Sequence, residues 1–198
     1  MVLVAGLGNP GPEYAQNRHN VGFMVADRLR EKLRGAGAFR EKFSGELAKG
    51  SLGPGGEVVV LRPLTFMNRS GRSVQAAAAF FQIAVQDIVV VHDDLDLPWQ
   101  TVRVKVGGGS GGHNGLKSVT ECLGAPDYVR VRLGIGRPAF GTSESWVLSD
   151  FSDIEQRELP AVLDRAVQAV ETILEKGVDR AMNEFNTKVG EGSSPAKQ

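Results

Sequence analysis

Each of the three histidines in this chain is followed directly by an amide or a carboxylate residue, in the pairs His19-Asn20, His92-Asp93 and His113-Asn114. Asp93 also opens an acidic cluster over residues 93–96, in which like charges need a cation or a histidine to compensate them. One interpretation is a metal-free pair, in which Asp93 orients a histidine that acts as a general base on water. The other is a metal site with the ligands His92, Asp93, Asp94 and Asp96, although no H-x-x-x-H or comparable ligand spacing accompanies them.

Three asparagines, Asn9, Asn68 and Asn114, lie in turn-forming or glycine-flanked segments. Each of them alone is explained as a turn residue, because asparagine tolerates turn conformations. Three amides that converged beside a histidine and an aspartate would instead supply directional hydrogen bonds to a carbonyl group or a water molecule. Both interpretations stay open at this point.

Two glycine-rich segments resemble phosphate-binding loops without matching them. Residues 6–11 (GLGNPG) fit G-x-G-x-x-G, but Pro10 and Pro12 remove hydrogen-bond donors and delay the helix that a dinucleotide site requires. Residues 107–115 are followed by Leu116 and only then by Lys117, so the lysine does not directly follow the last glycine, as it does in a Walker loop. We therefore expect neither an NAD-type site nor a P-loop.

The elements that must position these residues alternate between apolar strands and amphipathic helices. Strands are predicted at residues 2–7, 43–52, 57–62, 88–92, 101–106 and 128–135. Helices are predicted at residues 21–33, with Asn20 as the N-cap, and at 71–82, 113–123, 151–177 and 178–185. This order predicts the α/β class: a single domain over residues 1–188, with a twisted, mixed and mostly parallel sheet flanked by helices. The polar composition of residues 189–198 predicts a disordered C-terminal tail.

Composition and charge limit the classes of protein further. With 41% hydrophobic residues and no long apolar run, the 198-residue chain predicts no transmembrane helix. Its single cysteine, Cys122, fits a reducing compartment and is interpreted as a buried packing residue. The formal net charge is zero, but residues 101–140 hold six basic and two acidic residues, whereas residues 150–198 hold six basic and ten acidic ones. We expect a cytoplasmic protein with a basic face for a polyanionic partner, beside the alternative of ordinary surface charge.

Four motifs together resemble those of the bacterial-type peptidyl-tRNA hydrolase family. In order along the chain they read GLGNPGPEY…NRHNVGF, RPLTFMNRSG, VVHDDLDLP and GGGSGGHNGLKS, and the resemblance extends over residues 2–186. It implies a monomeric α/β fold around a mixed sheet, neither a metal nor an organic cofactor, and peptidyl-tRNA as the partner. The implied reaction is hydrolysis of the ester between the peptide and the terminal ribose of tRNA, which recycles tRNA released from stalled ribosomes.

The resemblance also assigns roles to the residues at matching positions. His19 is the implied general base, and Asp93 is the carboxylate that orients it. Substrate contacts are implied for Asn9, Tyr14, Phe66, Asn68 and Asn114, and contacts with tRNA phosphates for Arg103, Lys105, Lys117 and Arg132. Residues 137–150 lack the lysine that many relatives carry in this loop.

Two alternatives stand beside hydrolysis by His19 and Asp93. The first is a non-catalytic RNA-binding module on the same fold, because a fold does not fix a function. The second is a hydrolase that depends on the metal site described above. An ester with a ribose leaving group needs no covalent nucleophile, since general-base help to water accelerates such a step by ~10²–10⁴. The metal-free pair is therefore the interpretation that the chemistry favours.

Overall fold

The computed structural model describes residues 1–54 and 56–187 and contains a central seven-stranded sheet. The strands are β1 (Val2–Gly6), β2 (Arg40–Lys42), β3 (Gly45–Ser51), β4 (Glu57–Pro63), β5 (Ile88–Asp94), β6 (Val102–Val106) and β7 (Val129–Gly134). Their order is β2-β3-β4-β1-β5-β7-β6, and the four central strands run parallel. β2, β3 and β6 pair antiparallel with their neighbours. The predicted α/β fold with a mixed sheet is confirmed, and its parallel part is the centre.

Helices cover both faces of this sheet. They are α1 (Val21–Lys32), α2 (Ser70–Phe81), α3 (Asn114–Leu123), α4 (Ser143–Val147), α5 (Asp153–Lys176) and α6 (Val178–Phe185). α1, α5 and α6 pack over one apolar core, and α2 and α3 pack over the other. Successive residues of β1, Leu3 and Val4, belong to opposite cores, because side chains alternate between the faces of a strand. The predicted tail over residues 189–198, and residue 188, lie outside the described residues.

None of the helices within residues 1–54 and 56–187 combines the length and the apolar character needed to cross a bilayer.

Close packing between β1 and α1 explains the first glycine motif. A Cβ atom on Gly6 would lie 2.1 Å from the carbonyl oxygen of Gly22. A Cβ atom on Gly22 would in turn lie 2.4 Å from the backbone nitrogen of Leu7. Glycine at both positions lets the helix lie directly against the strand, so these glycines have a structural reason that involves no nucleotide.

The carboxyl ends of the parallel strands meet at one edge of the sheet. Loops leave this edge after Gly6, Pro63, Asp94 and Gly134, and ligands of open α/β sheets bind at such an edge. β1 and β5 are hydrogen-bonded neighbours, with Gly6 opposite Val91. The turn that follows β1 and the acidic end of β5 therefore lie next to each other.

The structure corrects the sequence prediction around Asn20 and residue 43. Asn20 makes no side-chain cap for α1, because its amide is hydrogen-bonded to the backbone of Asn9 instead. The predicted strand over residues 43–52 begins only at residue 45, since Phe43 and Ser44 form a turn with positive φ angles of 58° and 53°. The strand β2, which precedes this turn, is absent from the sequence prediction.

Two smaller differences concern α4 and Cys122. Helix α4 lies in a segment that the sequence indicates as a loop, and its five residues are too few to show a helical apolar period. Its start is marked by Thr142, whose hydroxyl accepts a hydrogen bond from the backbone of Ser145. Cys122 is half-buried, whereas the sequence context predicts a buried residue.

Candidate active site

A cavity of about 810 Å³ opens at the carboxyl edge of the sheet. Predicted site residues that line it are His19, Asp93, Asn9, Phe66, Asn68, Asn114, Lys105 and Arg132. They come from the four separate sequence motifs and from the strands β6 and β7. The structure thus brings the candidate base, its carboxylate, the three amides and part of the basic set into one site.

His19 and Asp93 form a buried hydrogen-bonded pair. His19 lies in a single 3-10 turn, Arg18–Asn20, directly before α1, and Asp93 lies near the end of β5. The Nδ1 atom of His19 is 2.8 Å from Oδ1 of Asp93. When Nδ1 donates its hydrogen to the carboxylate, Nε2 carries the lone pair of a neutral imidazole. His19 therefore has the tautomer that a general base requires, in a residue that lines the cavity.

His113 binds the same carboxylate oxygen. Its Nε2 lies 2.9 Å from Oδ1 of Asp93, while its Nδ1 accepts from the backbone N–H groups of Gly115 at 3.1 Å and Leu116 at 3.3 Å. Because the start of α3 supplies these two donors, the hydrogen of a neutral His113 has to be on Nε2. His113 is therefore a fixed donor to Asp93, a role that the sequence leaves open.

The two histidines keep Asp93 ionised. Burial alone raises the pKa of Asp93, but the charges and hydrogen bonds of His113 and His19 outweigh it and hold the pKa well below its usual range. A positive charge that develops on His19 is consequently placed against a buried carboxylate.

The acidic cluster is compensated residue by residue. Asp94 pairs with Arg132 at 2.7 Å, and Asp96 pairs with Arg137 at 2.6 Å. Asp93 has the two histidines, as described above. The prediction that these carboxylates need cations or histidines as neighbours is therefore confirmed.

A metal ion would meet a different set of ligands from the one that the sequence suggests. The Nδ1 atom of His92 donates to the backbone oxygen of Asp93 at 2.7 Å, and the other two aspartates pair with arginines. The ligand atoms of His19, Asp93 and His113 lie within 4.8 Å of one another. However, both nitrogens are within 2.9 Å of one shared oxygen. Two ligands of a tetrahedral zinc ion lie about 3.3 Å apart, so the geometry is that of hydrogen bonds.

The backbone of Met67 sets the orientation of the Asn9 amide. Oδ1 of Asn9 accepts a hydrogen bond from the N–H group of Met67 at 2.8 Å. The amide of Asn20 holds both backbone polar groups of Asn9, each at 2.9 Å. Since Oδ1 is engaged, Nδ2 is the group that Asn9 offers to the cavity as a donor.

The other two asparagines reach the cavity from a close crossing of α2 and α3. Asn68 lies in the 3-10 turn Met67–Arg69 before α2, and Asn114 is the first residue of α3. A Cβ atom on Gly71 would lie 2.1 Å from the carbonyl oxygen of Ser118, so the two helices touch through their backbones. This contact fixes the distance between the two helix starts that carry the amides.

The remaining two predicted substrate residues differ in their placement. Phe66 lines the cavity, and 56% of its surface is exposed. Tyr14 lies half-buried in the turn Pro12–Tyr14 and is not among the residues that line the cavity. The structure therefore brings Phe66, and not Tyr14, to the site.

Basic residues concentrate on the neighbouring strands β6 and β7. Arg103 lies opposite Arg132, and Lys105 lies opposite Arg130. Lys105 and Arg132 line the cavity, whereas Arg103 and Lys117 do not. Like charges directly opposite each other destabilise a sheet, and the pairing of Arg132 with Asp94 offsets part of this repulsion.

Arg130 is a site residue that the sequence pattern does not identify. Its guanidinium donates to the backbone oxygens of Gly108 and Gly109, both at 2.6 Å, and only 2% of the residue is exposed. The alternation of β7 suggests an outward-facing charge, but the glycine loop folds over this side chain. Arg130 therefore orders the loop between β6 and α3, which forms part of the cavity wall.

Because His92 is buried, we expect the free energy of unfolding to depend on pH. Burial, together with nearby His113, lowers the pKa of His92 from 6.5 to about 3. The folded state therefore binds fewer protons than the unfolded state between these values. The contribution to the free energy of unfolding is complete above pH 6.5 and is lost as the pH falls toward 3.

We expect the His92→Gln variant to lose this dependence. Its unfolding free energy, measured by urea titration between about pH 3 and 7, should fall less steeply than that of the parent chain, by up to ~1.4 kcal/mol per pH unit. Parallel curves for the two proteins would show that His92 does not titrate in this way.

Known proteins are similar to this chain in sequence and in fold. A family model described as Peptidyl-tRNA hydrolase matches residues 3–192. The chain is 49% identical over 190 residues to the peptidyl-tRNA hydrolase of Syntrophotalea carbinolica, with 96% of this chain and 98% of that protein covered. It is 51% identical over 191 residues to the enzyme of Sorangium cellulosum, with 95% and 85% covered. The crystal structure of peptidyl-tRNA hydrolase from Acinetobacter baumannii matches with a TM-score of 0.85 at 39% identity, over 94% of each chain. The chain therefore belongs to the peptidyl-tRNA hydrolase family.

Proposed function

We propose that this protein hydrolyses the ester bond between the peptide and the tRNA in peptidyl-tRNA, with His19 as the general base and Asp93 as its orienting carboxylate. The observation that carries the proposal is the 2.8 Å hydrogen bond between these two buried residues, at the edge of a cavity with amide donors and basic residues. Family membership supports the substrate class.

The proposed first step is attack of water on the ester carbonyl. Nε2 of His19 takes a proton from the water as its oxygen forms a bond to the carbonyl carbon. The imidazolium that forms is stabilised by the ionised Asp93, whose Oδ1 also accepts a hydrogen bond from His113. His19 then returns the proton to the ribose oxygen as the carbon–oxygen bond of the ester breaks. The protein forms no covalent intermediate in this sequence.

Asn9 is the proposed donor to the carbonyl oxygen, where negative charge develops. Its Nδ2 is kept available because Met67 occupies Oδ1, so the donor is positioned before the substrate arrives. Asn68 and Asn114 are proposed to hydrogen-bond the peptide and the attacking water. Phe66, exposed at the wall, is the proposed apolar contact for the peptide.

Amide contacts also give a basis for discriminating against aminoacyl-tRNA. An N-blocked substrate has an amide group where a free aminoacyl ester has a charged amine. Asparagine offers both a donor and an acceptor to that amide. A site built to hydrogen-bond such a group rejects analogues by up to ~10⁴–10⁵.

Basic residues on β6, β7 and α3 are the proposed contacts with tRNA phosphates: Arg103, Lys105, Lys117 and Arg132. Such contacts give affinity and salt dependence without reading sequence, which suits an enzyme that accepts many tRNAs. We further propose that the protein acts as a monomer in the cytoplasm, as the family resemblance and the single cysteine indicate.

Lys105 gives a direct test of the phosphate contacts. We expect the Lys105→Gln variant to bind all tRNAs more weakly and to lower the slope of log affinity against log salt by about 0.7–0.9, because one phosphate contact is lost. The measurement is filter binding at several salt concentrations. Lys42→Gln, on β2 at the opposite edge of the sheet, is the matched control and should leave the slope unchanged. An unchanged slope in Lys105→Gln would mean that Lys105 does not contact a tRNA phosphate.

A time course with N-acetyl-aminoacyl-tRNA separates the proposed enzyme from the non-catalytic RNA-binding module. The purified protein is mixed with a large excess of this substrate, and bound tRNA and released N-acetyl amino acid are measured in the same samples. Release of many equivalents per protein molecule supports the enzyme. Saturable tRNA binding without release would support the RNA-binding module instead.

A further inference from the structure

Four consecutive polar residues around His19 are buried, and together they are attached to three different parts of the molecule. Asn17, Arg18, His19 and Asn20 are all at most 8% exposed. His19 binds Asp93, and Asn20 holds the backbone of Asn9, as described above. The first two residues of this base segment (residues 17–20) bind residues 149–155.

Arg18 makes most of these contacts. Its Nη1 donates to Oγ of Ser149 at 2.7 Å and to the backbone oxygen of Asp150, and its Nη2 pairs with Glu155 at 2.6 Å. The backbone N–H of Arg18 donates to the backbone oxygen of Ser149 at 3.0 Å. Asn17 adds a hydrogen bond of 2.7 Å from its amide to the carboxylate of Asp150. The base segment is therefore bound to the chain that directly follows α4.

Trp146 connects this anchor to the wall of the cavity. The guanidinium carbon of Arg18 lies 3.7 Å from the centre of the Trp146 ring. The indole Nε1 of Trp146 donates to the backbone oxygen of Gly136 at 2.9 Å, which closes the loop between β7 and α4 at its base. We name residues 136–148 the wall segment, because Arg137, Ser143, Glu144, Val147 and Leu148 line the cavity.

The contacts of Arg18 act on His19 through a very short piece of backbone. His19 is the middle residue of one 3-10 turn, in which the N–H of Asn20 donates to Asn17 and that of Val21 donates to Arg18. With so little secondary structure of its own, this turn takes its position from the anchors on either side. Asn20 supplies one anchor, to the turn after β1, and Arg18 supplies the other, to the wall segment and the residues that follow it.

The need to fill a buried position does not by itself explain why residue 18 is an arginine. Burying a charged side chain is costly unless it is paired and hydrogen-bonded, and the two Nη groups of Arg18 find their acceptors among residues 149–155. Its Nε is buried without a partner among the described residues. The planar guanidinium reaches several acceptors and stacks on an indole at the same time, which a lysine ammonium cannot do. Arg18 is therefore tied to residues 149–155 by hydrogen bonds and to Trp146 of the wall segment by stacking.

We propose that Arg18 is a positioning residue that couples the wall segment to the general base, so that His19 is aligned with Asp93 only while Trp146 lies against the guanidinium. This inference rests on the proposed function of His19 and adds a device that links its alignment to the wall of the substrate cavity. Displacement of the wall segment would then lower the rate of the chemical step rather than the affinity for tRNA.

Two variants test the coupling from its two ends. Arg18→Lys keeps the charge but loses the multiple acceptors, and Trp146→Leu removes the stacking surface without touching the base segment. We expect both variants to lower kcat by ~10–10² while KM changes less than about threefold, because small displacements of catalytic groups cost rate. Arg28→Lys is the matched control, since Arg28 also pairs with a carboxylate of α5, that of Asp164, but does not line the cavity. Its kcat should match that of the parent chain.

A readout that needs no turnover completes the test. The proton on Nδ1 of His19, hydrogen-bonded to Asp93, gives a proton NMR signal that can be assigned by its absence in His19→Ala. We expect this signal to be lost or broadened in Arg18→Lys and Trp146→Leu and to persist in Arg28→Lys.

This result would support the coupling even if the parent protein cleaved no ester, which would count against the proposed function alone. If both variants kept kcat and the signal and lost only thermal stability, Arg18 would be structural and the proposal overturned. If Arg18→Lys fails to fold, Trp146→Leu decides.

Discussion

The His19→Ala variant should fold like the parent chain and lose about 10²–10⁴ in kcat, because it removes the general base from the chemical step. The side chain sits in a turn at the cavity and makes its hydrogen bond to Asp93, so its removal leaves both apolar cores unchanged. KM should change little, since the amides and basic residues that bind the substrate remain. Steady-state hydrolysis of N-acetyl-aminoacyl-tRNA measures both constants.

The control for this prediction is Gln16→Ala, an exposed change three residues earlier in the chain. It should leave kcat and the melting temperature as they are. Turnover of His19→Ala close to that of the parent chain would remove His19 from the mechanism.

Replacing Asp93 with asparagine should lower kcat by a comparable amount. The asparagine side chain is isosteric with aspartate and its Oδ1 could still accept from both histidines, but the negative charge beside the developing imidazolium would be gone. The corresponding Asp-to-Asn replacement in a serine-protease triad, which leaves the histidine in the wrong tautomer, lowers kcat by ~10⁴ and sets the scale for Asp93→Asn. The tRNA affinity should stay the same, because Asp93 is buried beneath the two histidines.

Asp87→Asn is the matched control for the aspartate prediction. Asp87 is exposed and directly precedes β5, at the end opposite Asp93. Single-turnover rates of both variants, taken at saturating protein, report the chemical step without the binding step. An Asp93→Asn rate within a few-fold of the control would mean that charge at residue 93 does not assist His19.

The fold is predictable where burial alone decides the structure. Central strands such as β1 and β5 are short apolar runs, and the long helix α5 carries an apolar stripe, so both follow from periodicity. The strand β2 is fully exposed and has no apolar pattern to identify it. Helix α4 is too short for a period.

The site is predictable only in part, because its contacts join distant residues. His19 and Asp93 are 74 residues apart, and they meet because β1 pairs with β5 in a particular register. Residue types alone suggest a histidine with Asp93 but give no choice among three histidines, and the family resemblance supplies that choice. The sharing of Asp93 by His113 depends on the position of α3 and has no signal in the sequence.

Positioning residues are the hardest to predict. Arg130 has the pattern of an outward charge on an alternating strand, yet it is buried under the glycine loop. Asn20 has the pattern of a helix cap, yet its amide holds Asn9. In each case the competing partner is a backbone group from a distant segment, and such a partner leaves no mark in the local pattern.

Selective ester cleavage in the presence of a chelator tests the central claim most directly. Purified protein is treated with excess EDTA, and release of the acyl group is followed for N-acetyl-aminoacyl-tRNA and for the matching aminoacyl-tRNA. A metal-free general base predicts unchanged cleavage of the blocked substrate and little or none of the free one. Loss of activity with chelator, or equal cleavage of both substrates, would contradict the roles proposed for His19 and for the three asparagines.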